Sequence, residues 1–173
     1  GSYRALEELY EAGRIRAIGV SNFPPDRLVD IAAFNRIQPH VNQVETNPLN
    51  QQIKAQMNMV KRDVQIEAWA TFGEGKSNMF ANPVLKAIAD THGKSVAQVI
   101  LRWLMQRNVV ALAKSIHIER MKENIDIFDF QLSEEEMCKI AQLDTGTSLF
   151  FDHQTPETVD MFVKMIQDRK NKI

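Results

Sequence analysis

Cysteine is nearly missing from this chain: Cys138 stands alone among 173 residues. One thiol cannot close an internal disulfide, so a reducing, cytoplasmic setting is expected. An excess of charge is also missing. The 21 basic and 22 acidic residues leave a net charge of -1, which argues against bulk electrostatic binding of nucleic acid or a membrane surface. No apolar run is long enough to span a bilayer, and no basic-then-apolar leader is seen. Glycine-rich phosphate-loop and dinucleotide fingerprints do not occur. His40, His92, His117 and His153 are scattered without metal-ligand spacing, so no metal site is expected. Two tryptophans and no basic stripe speak against a nucleic-acid surface. Cys138 itself falls in a helical stretch and is expected to be packed.

What remains is an alternation of short apolar runs and amphipathic stretches. The length suits one well-packed domain. Gly1 and Ser2 read as a cloning scar. Residues 3–11 place Leu6, Leu9 and Tyr10 on one helical face, with Gly13 as the stop. Strands are expected over residues 15–20, 41–45, 64–70 and 109–113. Between them, Pro24 and Pro25 suit a helix start, and Leu28, Ile31 and Ala32 recur at helical spacing. Asn50 can cap a helix whose apolar face would be Ile53, Met57 and Val60. Asn82-Pro83 opens another helix, and Ser95 to Gln98 forms a capping box for the next. A short helix should begin near Ile118 and a further one at Ser133, after a second capping box. From Gly146 a tail follows, with a helix over residues 156–167. Strands alternating with helical crossovers predict a parallel α/β sheet of right-handed βα units.

In such folds ligands gather at the C-terminal ends of the strands. Here those ends carry Ser21 and Asn22, Gln43 onward, Trp69, and Lys114 with Ser115. The amides can both donate and accept hydrogen bonds, and Trp69 offers a stacking face. Lys114, Ser115 and Arg120 stand where a helix begins, a place suited to phosphate. Together they meet the needs of a nicotinamide dinucleotide phosphate. Each piece also has a structural reading. Ser21-Asn22 can start a turn before the prolines. Gln43 and Glu45 can form a satisfied polar cluster. Trp69 can be ordinary packing, and Lys114 and Arg120 a solvated helix end.

Three ordered motifs carry a resemblance. Ile15-Arg16-Ala17-Ile18-Gly19-Val20-Ser21-Asn22-Phe23, then Asn42-Gln43-Val44-Glu45-Thr46-Asn47-Pro48, then Lys114-Ser115 with Arg120, Glu123 and Asn124, resemble the aldo-keto reductases. The flavour is that of bacterial members near the 2,5-diketogluconate reductase branch. The resemblance implies a (β/α)8 barrel of the TIM type, with NADP(H) as cofactor and hydride transfer to an aldehyde or ketone. It implies that Ser21, Asn22 and Gln43 bind the nicotinamide carboxamide and that Trp69 stacks on the ring. Phe72 would belong to the loop over the pyrophosphate. Lys114, Ser115 and Arg120 would bind the 2′-phosphate, with Glu123 and Asn124 near the adenine. The family usually has proline where Thr71 and Ala113 stand, so both loops are expected to be less preorganised here.

A full barrel of this type takes about 250 residues. This chain supplies only the second half, over residues 3–145, with the tail at 146–173. The family's catalytic tyrosine, lysine, aspartate and histidine belong to the first half, so no catalytic residue is assigned. Tyr3 and Tyr10 lie on the opening helix and replace none of them. Two strand edges and an apolar inward face should be left open. The expected partners are a small carbonyl substrate and either the missing first half or a second copy. The alternatives are a nucleotide-binding fragment without chemistry and a structural or engineered half barrel.

Overall fold

The computed structural model describes residues 1–170. Helix α1 (Ser2–Glu11) leads into strand β1 (Gly19–Ser21), helix α2 (Pro25–Phe34) and strand β2 (Val41–Glu45). Helix α3 (Ile53–Val60) and strand β3 (Gln65–Trp69) follow. Two 3-10 turns, Gly73–Gly75 and Met79–Ala81, precede helices α4 (Pro83–His92) and α5 (Val96–Gln106). Strand β4 (Val110–Ala111) ends the sheet. Helices α6 (Ile118–Ile125), α7 (Glu134–Ala141) and α8 (Pro156–Lys170) complete the chain. No helix among the described residues is long and apolar enough to cross a membrane.

The four strands are parallel and run in the order β1-β2-β3-β4. Each neighbour is joined through a helix, as parallel pairing requires. Both outer strands, β1 and β4, have one unpaired side. Gly19 sits where β1 presses on β2: a Cβ there would lie 2.8 Å from the Val41 carbonyl oxygen. The side chains alternate across the sheet. Val44, Ile66, Ala68 and Val109 enter the core, where Leu28, Met59, Leu85, Ile100, Trp103 and Leu104 cover them. The opposite face carries Gln43 and Glu45 of β2, Gln65, Glu67 and Trp69 of β3, and Val110 of β4. That face was expected to be apolar. It is largely polar, and only the β4 end adds exposed aliphatic groups, at Val110 and Leu112.

The caps follow the sequence. Asn82 Oδ1 accepts from the backbone N–H groups of Val84 and Leu85, and Gly93 closes α4 in the left-handed region. Ser95 with Gln98, and Ser133 with Glu136, form reciprocal capping boxes. Further expectations fail. The first strand starts at Gly19, because pairing with β2 begins only there. Helix α3 is capped at Gln52 and not Asn50, and it is turned so that Ala55 and Met59 face inward. Ile53, Met57 and Val60 are 45%, 58% and 65% exposed. Cys138 is exposed. Ile140, two residues on and so across the helix, is the residue that α7 buries.

Candidate functional site

Two groups of side chains stand at the C-terminal rim of the sheet. The first is an unbroken chain of hydrogen bonds across three strand ends. The Trp69 indole N–H donates to Asn22 Oδ1 at 2.8 Å. Asn22 Nδ2 donates to Ser21 Oγ at 3.2 Å, and Ser21 Oγ donates to the Gln43 carbonyl at 3.1 Å. Gln43 Nε2 donates to Glu67 Oε1 on the neighbouring strand, in the register that pairs the two residues. Asn22 lies in the left-handed backbone region, at φ 56°, directly after β1. Asparagine tolerates that region better than most residues. The turn aims its amide across the rim at Trp69.

The second group lines a cavity of about 670 Å³. Phe72 and Phe80 form one wall, with ring centroids 5.6 Å apart. Lys114, Ser115 and Arg120 also line the cavity, and Glu123 and Asn124 lie one turn further along α6. The ion pairs among the described residues include neither Lys114 nor Arg120. Ser115 Oγ accepts from the His117 N–H at 3.1 Å and so shapes the turn into α6. The loop between β3 and α4 is tied at its start. Thr71 is buried, and its hydroxyl donates to the Leu112 carbonyl at 2.9 Å. Gly73, at φ 69°, leaves room for the Ser77 hydroxyl, which a Cβ would approach to 2.8 Å. Ser77 Oγ is itself buried without a hydrogen-bond partner among the described residues.

The tail crosses the same rim. Glu45 is buried at the end of β2. Its carboxylate accepts from Ser148 Oγ, from the Leu149 N–H at 3.0 Å and from Asn47 Nδ2 at 3.3 Å. Phe150 packs against Trp69, with centroids 4.9 Å apart and planes tilted by 55°. Lys76 Nζ lies 4.6 Å from the Phe150 ring centre. Phe150 thus lies at the rim of the sheet. Glu45 serves as the anchor of that tail.

The sequence-derived residues thus fall into two sets. Ser21, Asn22, Gln43 and Trp69 join one network. Phe72, Lys114, Ser115, Arg120, Glu123 and Asn124 share one cavity. Glu67 and Phe80 did not stand out in the sequence. Glu67 had a signal, because it lies two residues before Trp69 on a strand and so shares its face. Phe80 had none, since its place depends on the fold of the 71–81 loop. The two tyrosines stand elsewhere. Tyr3 donates to the Ile37 carbonyl at 2.9 Å, and Tyr10 packs on His40 at 5.1 Å, before the start of β2. Burial first, and then the charge of Glu7, push the Tyr3 phenol up to about 12.

The Aldo/keto reductase family model matches residues 2–145. A glyoxal reductase from Bacillus subtilis is 48% identical over 142 residues, which are 82% of this chain and 51% of that protein. An aldo-keto reductase from a deep-sea metagenome library superposes with a TM-score of 0.86 at 38% identity. It covers 88% of this chain, and the match takes in 57% of its own. A Bombyx mori aldo-keto reductase solved in complex with NADP gives a TM-score of 0.80 at 31% identity, over 87% of this chain and 52% of that one. The chain therefore spans about half the length of the relatives it matches. Its four-stranded parallel sheet corresponds to half of their (β/α)8 barrel.

Proposed function

The chain belongs to the aldo/keto reductase family, and from that premise we propose that it is the cofactor-holding half of an NADPH-dependent oxidoreductase acting on aldehydes or ketones. The observation that carries this reading is the cavity beside α6. It collects Lys114, Ser115, Arg120, Glu123 and Asn124 next to a helix start, with both cations free of ion pairs among the described residues. A dianionic 2′-phosphate matches that donor set: Arg120 can fork two oxygens, and Lys114 supplies a compact charge. Glu123 and Asn124 offer the acceptors and donors an adenine edge requires. At the other end of the rim, the amides of Asn22 and Gln43 suit a carboxamide, and Trp69 a flat ring.

When bound, NADPH supplies a hydride for a carbonyl carbon. The residues of this chain bind and orient it, and Phe150 and the tail shield one side of Trp69 from water. No residue here is assigned to protonate the resulting oxygen. The small-carbonyl substrate class is that of relatives such as the glyoxal reductase. A second reading, a nucleotide-binding fragment without chemistry, is favoured by one observation. Tyr3 and Tyr10 are engaged away from the rim. The exposed Cys138 thiol accords with a cytoplasmic setting.

Calorimetric titration with NADPH and NADH tests the assignment. Lys114→Ala and Arg120→Ala should each weaken NADPH by about tenfold, the lower end for a lost charged hydrogen bond, and leave NADH unchanged. Equal losses for both dinucleotides would refute the 2′-phosphate role.

A further inference from the structure

The hydrogen-bond chain at the strand ends has a direction that its two termini impose. An indole N–H can only donate, and an ionised carboxylate can only accept. Trp69 therefore claims the carbonyl oxygen of the Asn22 amide, and the Asn22 NH2 group points back along the rim to Ser21 Oγ. Glu67 claims the NH2 group of Gln43. Reversing either amide would set donor against donor at Trp69, or acceptor against acceptor at Glu67. Ser21 fits the same sense, because its proton is used on the Gln43 carbonyl. Hydrogen-bonding capacity remains on the Gln43 side-chain oxygen and Glu67 Oε2, as acceptors, and on the second protons of Asn22 Nδ2 and Gln43 Nε2, as donors.

We propose that Glu67 is a positioning residue that fixes the Gln43 amide with its oxygen toward the ligand, so that the rim selects a primary carboxamide over a ring bearing a carbonyl alone. The proposal rests on the reading of this rim as a nicotinamide site. With its oxygen outward, Gln43 offers an acceptor for a ligand NH2 group, and Asn22 a donor for its C=O. An acetyl group in the same place offers a C=O to Asn22 but no N–H to Gln43. With glutamine at position 67 the pair of amides could bond in either sense, and the Gln43 oxygen would no longer be held outward. The exchange keeps side-chain size, and residue 67 is only partly buried at the open face of the sheet.

The test uses the full chain, NADP⁺ and its 3-acetylpyridine analogue, with calorimetry for affinity. The wild-type chain should prefer the carboxamide by about five- to tenfold, the weight of one net hydrogen bond. Glu67→Gln should reduce that preference to below about twofold while binding of adenosine 2′,5′-bisphosphate stays unchanged. A purely structural Glu67 would weaken both dinucleotides alike and keep their ratio, which would overturn the proposal. In NMR spectra of the chain without ligand, one Gln43 side-chain amide proton should lie downfield and return to its ordinary position in Glu67→Gln. Absence of that shift also overturns it. Failure of the bisphosphate and of both dinucleotides to bind the wild-type chain would instead overturn the cofactor reading, while the amide shift would still report on Glu67.

Discussion

Replacing Glu45 with glutamine should release the tail from the rim. The Glu45 carboxylate is 3% exposed, and it holds Ser148, Leu149 and Asn47 at once. Glutamine can keep one oxygen for Leu149, but its NH2 group would then face Ser148. The lone pairs of Ser148 Oγ are already taken by the Phe150 and Phe151 N–H groups, at 3.0 and 3.2 Å. Donor would meet donor, and the charge that strengthened the remaining bonds would be gone. Losing a charged, buried hydrogen bond costs about 1.5–3 kcal/mol. Tail opening should therefore become about 10- to 150-fold more frequent. The turn before it is tied separately, by Thr145 to the Leu49 carbonyl, so the loss should stay local. Hydrogen exchange read by mass spectrometry should speed up over residues 148–151 and hold steady in α5. Tryptophan fluorescence should shift to the red as Phe150 leaves Trp69. Unchanged protection at Leu149 to Phe151 would refute the anchoring role.

Two other outcomes follow from the structure. Burial tends to raise the Glu136 carboxyl, but the Ser133 N–H, the Ser133 hydroxyl and His92 together outweigh it and hold the group below the ordinary carboxylate range. A depressed folded value contributes stability above the ordinary carboxylate range and loses it as the pH falls through the folded value. Glu136→Gln should thus destabilise the chain at pH 7 and lose that difference in acid below the folded value, as denaturant melts over a falling pH series will check. The open edges of β1 and β4, with exposed Ile118, Met121 and Ile125 along α6, should draw in the first half of the barrel or a second copy. A clean folded monomer by size-exclusion chromatography with light scattering would sink that expectation.

Strand ends and caps were legible because each rests on local chemistry. Asn82, Ser95 and Ser133 cap helices with their own side chains, and Ser21 and Lys114 follow apolar runs. Helix α3 was not legible for a different reason. It carries two apolar stripes, Ile53-Met57-Val60 and Ala55-Met59, and periodicity cannot choose between them. The choice is made by Gln52, held at φ 56°, and by what the sheet leaves room for. The polar inward face shows the same limit from the other side. Gln43, Gln65 and Glu67 alternate with Val44, Ile66 and Ala68, yet only the sheet's packing tells which set faces the helices. Strand alternation puts Glu67 on the face of Trp69, but its partner Gln43 is 24 residues away in sequence, a pairing that no local pattern reports.

The tie between Thr71 and the Leu112 carbonyl gives the loop over the cavity a particular thermal character. A proline ring narrows the backbone whether the loop is open or closed, and water cannot compete with it. A hydroxyl held by one carbonyl is stiff only while that bond is made, and each opening lets solvent take both partners. The order of this loop is therefore an exchange with water that warming shifts toward the open side. Its grip on whatever lies beneath should loosen with temperature well before the sheet itself gives way.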